Sequence, residues 1–152
     1  VKDPLINAIA FALESHAGQK DKTGKPYIFH TLRVADRVRA ELPGDIDAQV
    51  AAILHDVMED AGKSAADLVI SGFSGRVVEL VRILSHLPNE AGKKKPYHLF
   101  IGDIRADGYP AIPIKLADLA DNLDLDRLAQ LPALEAARLR AKYQEAIEIL
   151  LS

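Results

Sequence analysis

The chain has 152 residues, 49% of them hydrophobic and 27% charged, with a formal net charge of −3. That length suits one domain, residues 1–152, with a proper buried core, and the slight acidity argues against a surface built wholly for nucleic acid or an anionic membrane. Cysteine is absent, which excludes disulfides, thiolate metal sites and cysteine nucleophiles. No apolar run is long enough to span a bilayer, and acids and amides interrupt "VKDPLINAIAFALESH", so it does not read as a signal peptide; a cytoplasmic soluble protein is expected.

Helical periodicity runs through nearly the whole chain. Asp3 reads as a cap and Pro4 as the first residue of a helix over "DPLINAIAFALESH", with Leu5, Ile9, Ala12, Leu13 and His16 along one side. The Lys-rich loop "QKDKTGKP" leads to "IFHTLRVADRVRAEL", whose inward stripe is Leu32, Ala35 and Val38. After "PGD" comes "DAQVAAILHDVMED", read as one helix stopped by Gly62. Ser64 and Ser74 read as caps of the next two helices. A second basic loop, "NEAGKKK", precedes "PYHLFIGDIRA"; then come "PIKLADLADNL" and the closing "PALEAARLRAKYQEAIEILLS". No convincing alternating strand is present, so the fold class is all-α, with about seven or eight helices.

The segment around residues 51–62 carries the chemistry. The helical period puts Val50, Ile53, Leu54 and Val57 on one stripe and His55, Asp56, Glu59 and Asp60 roughly opposite. No Lys or Arg neutralises this run. Two readings stay open on these residues: a solvated helix face, or a cluster that gathers a divalent cation. His30 begins an amphipathic helix, where a lone His is also compatible with a structural role. Lys115, Asp118 and Asn122 form a polar stripe, with Asp121 near it, on a helix whose apolar stripe is Leu116, Leu119 and Leu123. Asp has poor propensity in mid-helix, so both acids need a reason; an exposed face is one. Two imidazoles and two carboxylates from three helices suit Mn, Fe or Zn.

The order His30, His55-Asp56, Asp118 resembles the H…HD…D ligand set of HD-domain metal-dependent phosphohydrolases. "GKPYIFH", "HDVMED" and "KLADLADN" are similar to the G-x-P-Y-x-x-H, H-D-x-x-E-D and K-L-A-D-x-x-x-N motifs of RelA/SpoT-type alarmone hydrolases, over residues from about 5 to 127. The chain resembles a free-standing small alarmone hydrolase, with no room for the synthetase and regulatory domains of the long enzymes. The resemblance implies an all-α HD-domain helical bundle. It implies a divalent metal, typically Mn2+, held by His30, His55, Asp56 and Asp118, and removal of the 3′-pyrophosphate from guanosine tetra- or pentaphosphate, with neither nucleic acid nor membrane as partner. Glu59 and Asp60 then match the acidic pair that positions and deprotonates the attacking water. Lys22 becomes the phosphate contact, ahead of Lys20 and Lys25. Lys115 and Asn122 match the last motif, Asn122 as a ribose or phosphate hydrogen-bonder and Lys115 as a substrate contact or a structural residue. Tyr97 either lines the nucleotide site or is a half-buried helix-start residue.

Two departures stand out. The family often has Arg, able to stack on the purine, where this chain has Asp21, and long members carry Arg and His where it has Leu119 and Asp121. The first departure bears on guanine recognition. Two alternatives stand beside the main reading: the same centre acting on another nucleotide or phosphorylated metabolite, such as the 2′-phosphate of NADPH, or a protein that senses nucleotides without turnover, against which the full ligand set and the Glu59-Asp60 pair argue. His16, His86 and His98 fit no ligand pattern and are expected to be structural.

Overall fold

The computed structural model describes residues 2–152. Ten helices follow in order: α1 Pro4–Ser15, α2 Ile28–Glu41, α3 Ile46–Leu54, α4 Val57–Ala61, α5 Ala65–Ile70, α6 Gly75–Leu84, α7 Tyr97–Asp107, α8 Ala111–Asn122, α9 Leu125–Leu128 and α10 Ala133–Leu151. The count exceeds the expected seven or eight for two reasons. The segment read as one helix across residues 47–60 breaks at His55-Asp56 into α3 and α4, and α9 is a single extra turn. Among the described residues there is no strand, only an isolated bridge between Lys20 and Pro26, and no helix is long and apolar enough to cross a membrane.

The helix ends follow the side-chain chemistry. Asp3 accepts from the backbone N–H of Leu5 at 2.9 Å and of Ile6 at 3.0 Å, with Pro4 in the first turn. Ser64 forms a reciprocal box with Asp67, and Ser74 accepts from Val77. Each such cap satisfies otherwise orphaned N–H groups, and losing one costs about 1 kcal/mol. Gly62 ends α4 at φ 66°, a left-handed conformation that L side chains avoid.

At the centre lies α3, whose residues from Ala48 to Leu54 are all buried. It packs against α1, α2, α6 and α8, while α10 lies against α7 and α8. A helix surrounded on every side must be apolar all round, which is why its sequence lacks a polar stripe. Its one amide, Gln49, donates to the carbonyls of Leu42 at 3.0 Å and Pro43 at 3.2 Å, satisfying both where the chain turns after α2. The inward face of α1 is Ala8 and Ala12, with Leu5 and Ile9 partly buried; Leu13, placed on that face by periodicity, is half exposed. On α2 the buried set is His30, Thr31, Val34 and Val38, so the face is rotated toward His30 relative to the expected stripe. α2, α3 and α8 therefore meet, and each delivers polar groups to the same point.

Candidate metal centre

The break after α3 is what builds the site. His55 and Asp56 sit between two helices, and the acid-rich run divides there. His55 is 2% exposed and Asp56 partly buried, whereas Glu59 and Asp60, on α4, stay open to solvent. The solvated-face reading thus holds for neither His55 nor Asp118, which is 5% exposed on α8. His30, from the first turn of α2, is 4% exposed.

One donor atom from each of His30, His55, Asp56 and Asp118 lies within 4.8 Å of the others. The Nε2 of His30 is 3.0 Å from Asp118 Oδ1 and 3.7 Å from Asp56 Oδ2; the Nε2 of His55 is 2.9 Å from Asp56 Oδ2 and 3.4 Å from Asp118 Oδ1. Both Nδ1 atoms are committed elsewhere, to groups that only accept. His55 Nδ1 donates to the Ala52 carbonyl at 2.7 Å, and His30 Nδ1 donates to Asp121 Oδ2 at 2.7 Å. In the neutral rings, therefore, each Nε2 carries a lone pair facing carboxylate oxygens. Lone pairs from four atoms this close, three of them on buried residues, cannot face one another without a positive species between them. His55 Nε2 in particular is buried without a hydrogen-bond partner. The donor set fits a divalent ion, which binds such atoms at about 2.0–2.2 Å and takes nitrogen and oxygen together.

Without a cation the cluster draws protons to itself. Burial works to lower the pKa of both imidazoles, but the neighbouring carboxylates outweigh it and raise them, that of His55 well above its ordinary value. For Asp56 and Asp118 burial acts upward and is overcome, by His55 for Asp56 and by Lys115 and His55 for Asp118, so both carboxyls are lowered. Asp118 is held on three sides: Lys115 Nζ donates at 2.8 Å, Asn122 Nδ2 at 3.2 Å, and His30 approaches from α2. Lys115, expected as a substrate contact or a structural residue, and Asn122, expected as a substrate contact, each donate to Asp118 and line the clefts beside the cluster.

Two clefts adjoin the cluster. One, of about 350 Å3, is walled by the loop from Gln19 to Thr23 together with Tyr27, Arg33, Arg127, Leu139 and Tyr143. The other, of about 220 Å3, holds Glu59, His86, Lys94, Tyr97, Lys115 and Lys142. Tyr27, Asp60, Asn122 and Tyr143 line both. Glu59 Oε1 accepts from the backbone N–H of His86 at 2.5 Å, and Asp60 Oδ2 accepts from Gln19 Nε2 at 3.2 Å. Desolvation in the cleft raises both carboxyls above their ordinary values, and the charge of Asp56 adds to this. Tyr97 is partly buried, lines the smaller cleft and carries the Lys142 ammonium 4.3 Å over its ring. Lys22 lines the larger cleft, exposed, 3.4 Å from Glu135. Lys20 also lines it, whereas Lys25 lies exposed in the same loop.

Asp21 has a reason of its own. Its Oδ1 accepts from Thr23 N at 2.8 Å, Thr23 Oγ1 at 2.7 Å and Lys25 N at 3.1 Å, closing the turn that contains Gly24. Of the three histidines expected to be structural, His16 is buried beside the larger cleft, His86 stacks on Phe100 and supplies the N–H to Glu59, and His98 is exposed. The sequence reading gave no role to Tyr27, whose hydroxyl donates to Asp56, or to Asp121, which is 2% exposed and braced by Arg33 and Arg127. A signal for Asp121 was present: a second mid-helix acid three residues after Asp118.

The family model described as HD domain matches residues 8–95. The guanosine-3′,5′-bis(diphosphate) 3′-pyrophosphohydrolase of Aquifex aeolicus is 36% identical over 123 residues, 80% of this chain and 17% of its own length. The enzyme of the same name from Vibrio cholerae is 34% identical over 161 residues, 97% of this chain and 21% of its own. This chain thus spans about a fifth of the length of these curated relatives. A solved structure described as "A metazoan ortholog of SpoT hydrolyzes ppGpp and plays a role in starvation responses" superposes with a TM-score of 0.80 at 24% identity, covering 99% of this chain and 86% of that one, which establishes a shared fold. With the matched region running from α1 through the loop before α7, and so including His30 and the His55-Asp56 pair, the chain belongs to the HD domain family.

Proposed function

We propose that this chain is a metal-dependent phosphohydrolase that removes the 3′-pyrophosphate from guanosine tetra- or pentaphosphate, with Mn2+ as the ion of choice. The observation that carries the reading is the convergence of His30, His55, Asp56 and Asp118 where two clefts of different character meet. The names of the Aquifex and Vibrio relatives support the substrate. A divalent ion held there supplies positive charge for phosphate oxygens and lowers the pKa of water. The larger cleft takes the nucleoside, and the smaller one, with Lys94 and Lys142, takes the departing pyrophosphate. Water attacks the phosphorus bonded to the 3′ oxygen, and Glu59 takes the proton of that water. The P–O bond breaks, and the 3′ oxygen leaves as a hydroxyl with a proton from solvent as pyrophosphate is released. The raised Glu59 carboxyl suits this task, because a base works best with a pKa closer to the operating pH. The hydrogen bond from His86 holds Oε1, leaving Oε2 to receive the proton. Asp60, the next residue of the same short helix and a lining residue of the same cleft, orients the water.

A second reading, the same centre acting on another phosphorylated nucleotide such as NADPH at its 2′-phosphate, is favoured by one observation. Asp21 stands where relatives often have a purine-stacking Arg, and Arg33 and Arg127, the guanidiniums in this cleft, are both engaged with Asp121. The decisive experiment is a panel: Mn-loaded protein with ppGpp, pppGpp, NADPH and common nucleotides, pyrophosphate and phosphate release measured separately. Pyrophosphate from the two guanosine compounds is expected. Phosphate from NADPH alone selects the second reading, and no release from any compound overturns both. Glu59→Gln should keep metal while turnover falls about a hundredfold or more; turnover at the native rate would remove Glu59 from the role.

A further inference from the structure

His16 is the buried titratable group that this mechanism leaves unused. It follows the last residue of α1 and is 3% exposed. Its Nδ1 lies 2.7 Å from Gln19 Oε1, and its Nε2 is buried without a partner. An imidazole kept for packing alone would be served as well by an apolar ring, because an unpartnered buried nitrogen costs stability.

The hydrogen-bond logic runs outward from Asp60. An ionised carboxylate only accepts, so Asp60 Oδ2, 3.2 Å from the Gln19 amide nitrogen, requires the amide to present its NH2. That turns Oε1 toward His16, whose Nδ1 must then carry the proton. The main chain holds the pair in place: Gln19 N donates to the His16 carbonyl at 2.9 Å, and Tyr27 N donates to the Gln19 carbonyl at 2.9 Å. The His16 ring also packs on Tyr27 with centroids 5.0 Å apart, and the Tyr27 hydroxyl donates to Asp56. Asp60 itself sits on the five-residue α4, exposed, with nothing on its own helix to fix its rotamer.

We propose that His16 and Gln19 are positioning residues, a buried imidazole N–H setting the orientation of an amide that in turn fixes the Asp60 carboxylate over the metal centre. The proposal rests on the reading of Asp60 as one of the water-positioning acids. Losing the link lets Asp60 swing, which lowers turnover about ten- to hundredfold, the scale of a catalytic group displaced by an ångström, while KM and metal content stay at wild-type values.

The test uses two replacements of His16 that separate hydrogen bonding from packing. In His16→Asn the amide nitrogen falls near the place of Nδ1, so the donor is kept and the ring lost. In His16→Phe the ring is kept and the donor lost. Turnover close to wild type in His16→Asn, with the ten- to hundredfold loss in His16→Phe and Gln19→Leu, is the expected pattern. The reverse pattern, full turnover in His16→Phe and loss in His16→Asn, would make His16 a packing residue and overturn the proposal. Nitrogen-15 spectra of the His16 ring decide the same point without a substrate. A proton on Nδ1 is expected in the wild type, moving to Nε2 in Gln19→Leu; a wild-type proton on Nε2 overturns the link. If the wild type hydrolyses no phosphorylated nucleotide, the functional reading fails and the spectra alone judge the link.

Discussion

The two imidazoles of the centre face the same four-atom cluster but are held by different means. His55 Nδ1 donates to the Ala52 carbonyl, a main-chain group delivered by the geometry of a fully buried helix. His30 Nδ1 donates to Asp121, a side-chain carboxylate from α8 that needs Arg33 at 2.8 Å and Arg127 at 3.0 Å to make its burial tolerable. A carbonyl survives any substitution of its own side chain. A buried carboxylate is a stronger acceptor and makes the imidazole a more basic ligand, but it depends on neighbours that mutation or acid can remove. One arm of the site is therefore built into the backbone and the other hangs on an ionic network spanning α2, α8 and the segment after it.

The largest effect should come from removing what both arms face. Asp56→Ala takes away the oxygen 2.9 Å from His55 Nε2 and 3.7 Å from His30 Nε2, so stoichiometric uptake of a divalent ion and hydrolysis should both be lost. Equal metal content by elemental analysis, with an unchanged rate, would sink the ligand assignment. Next, Asp121→Asn should weaken metal binding about ten- to hundredfold in calorimetric titration, the usual scale for a lost partner of a ligating His. Unchanged affinity would mean that His30 is oriented by something else. Its counterpart on the other arm, Ala52→Gly, keeps the carbonyl and should leave metal affinity alone while costing about 1 kcal/mol of stability through helix propensity. A large affinity loss there would erase the distinction between the arms.

A smaller loss is expected for Arg33→Ala, because Arg127 still faces Asp121. Metal affinity should fall by less than in Asp121→Asn, and an equal fall would assign the whole support to Arg33. The smallest effect is on acid stability. Burial pushes the Asp121 carboxyl up, but the hydrogen bonds from His30 and Arg33 outweigh it and hold it far below the ordinary carboxylate range. A lowered folded-state pKa contributes stability that is complete above the unfolded value of 3.8 and is lost as pH falls through the folded value. Urea unfolding of the metal-free protein from about pH 5 to about pH 2 should therefore lose stability more steeply in the wild type than in Asp121→Asn. Parallel slopes would count against the network.

Much of this was legible in the residues. Asp3, Pro4, Gly62, Ser64 and Ser74 mark helix ends through local chemistry, acting over three or four residues, and they do so in the structure. The acids at 56, 59 and 60 without a cation, and the paired acids at 118 and 121, flagged the two elements that build the centre. The break at His55-Asp56 was not legible, because "DAQVAAILHDVMED" has no Gly or Pro and its helical period continues across it. Nor was the local role of Asp21, whose carboxylate is the acceptor that closes its own loop.

The sequence by itself determined the helices, their caps, the apolar stripes and the types of donor available, since each of these depends on neighbours within a turn or two. Tertiary structure alone decided which donors meet and what each is for. His30 and Asp121 are 91 residues apart and Gln19 and Asp60 are 41 apart, yet each pair shares a hydrogen bond. Such contacts arise from how α2, α8 and the loop after α1 pack against α3 and α4, and no local period records that packing. The imidazole tautomers belong to the same category. Which nitrogen keeps its lone pair for a cation depends on what stands 2.7 Å from the other nitrogen, and only the folded chain puts it there.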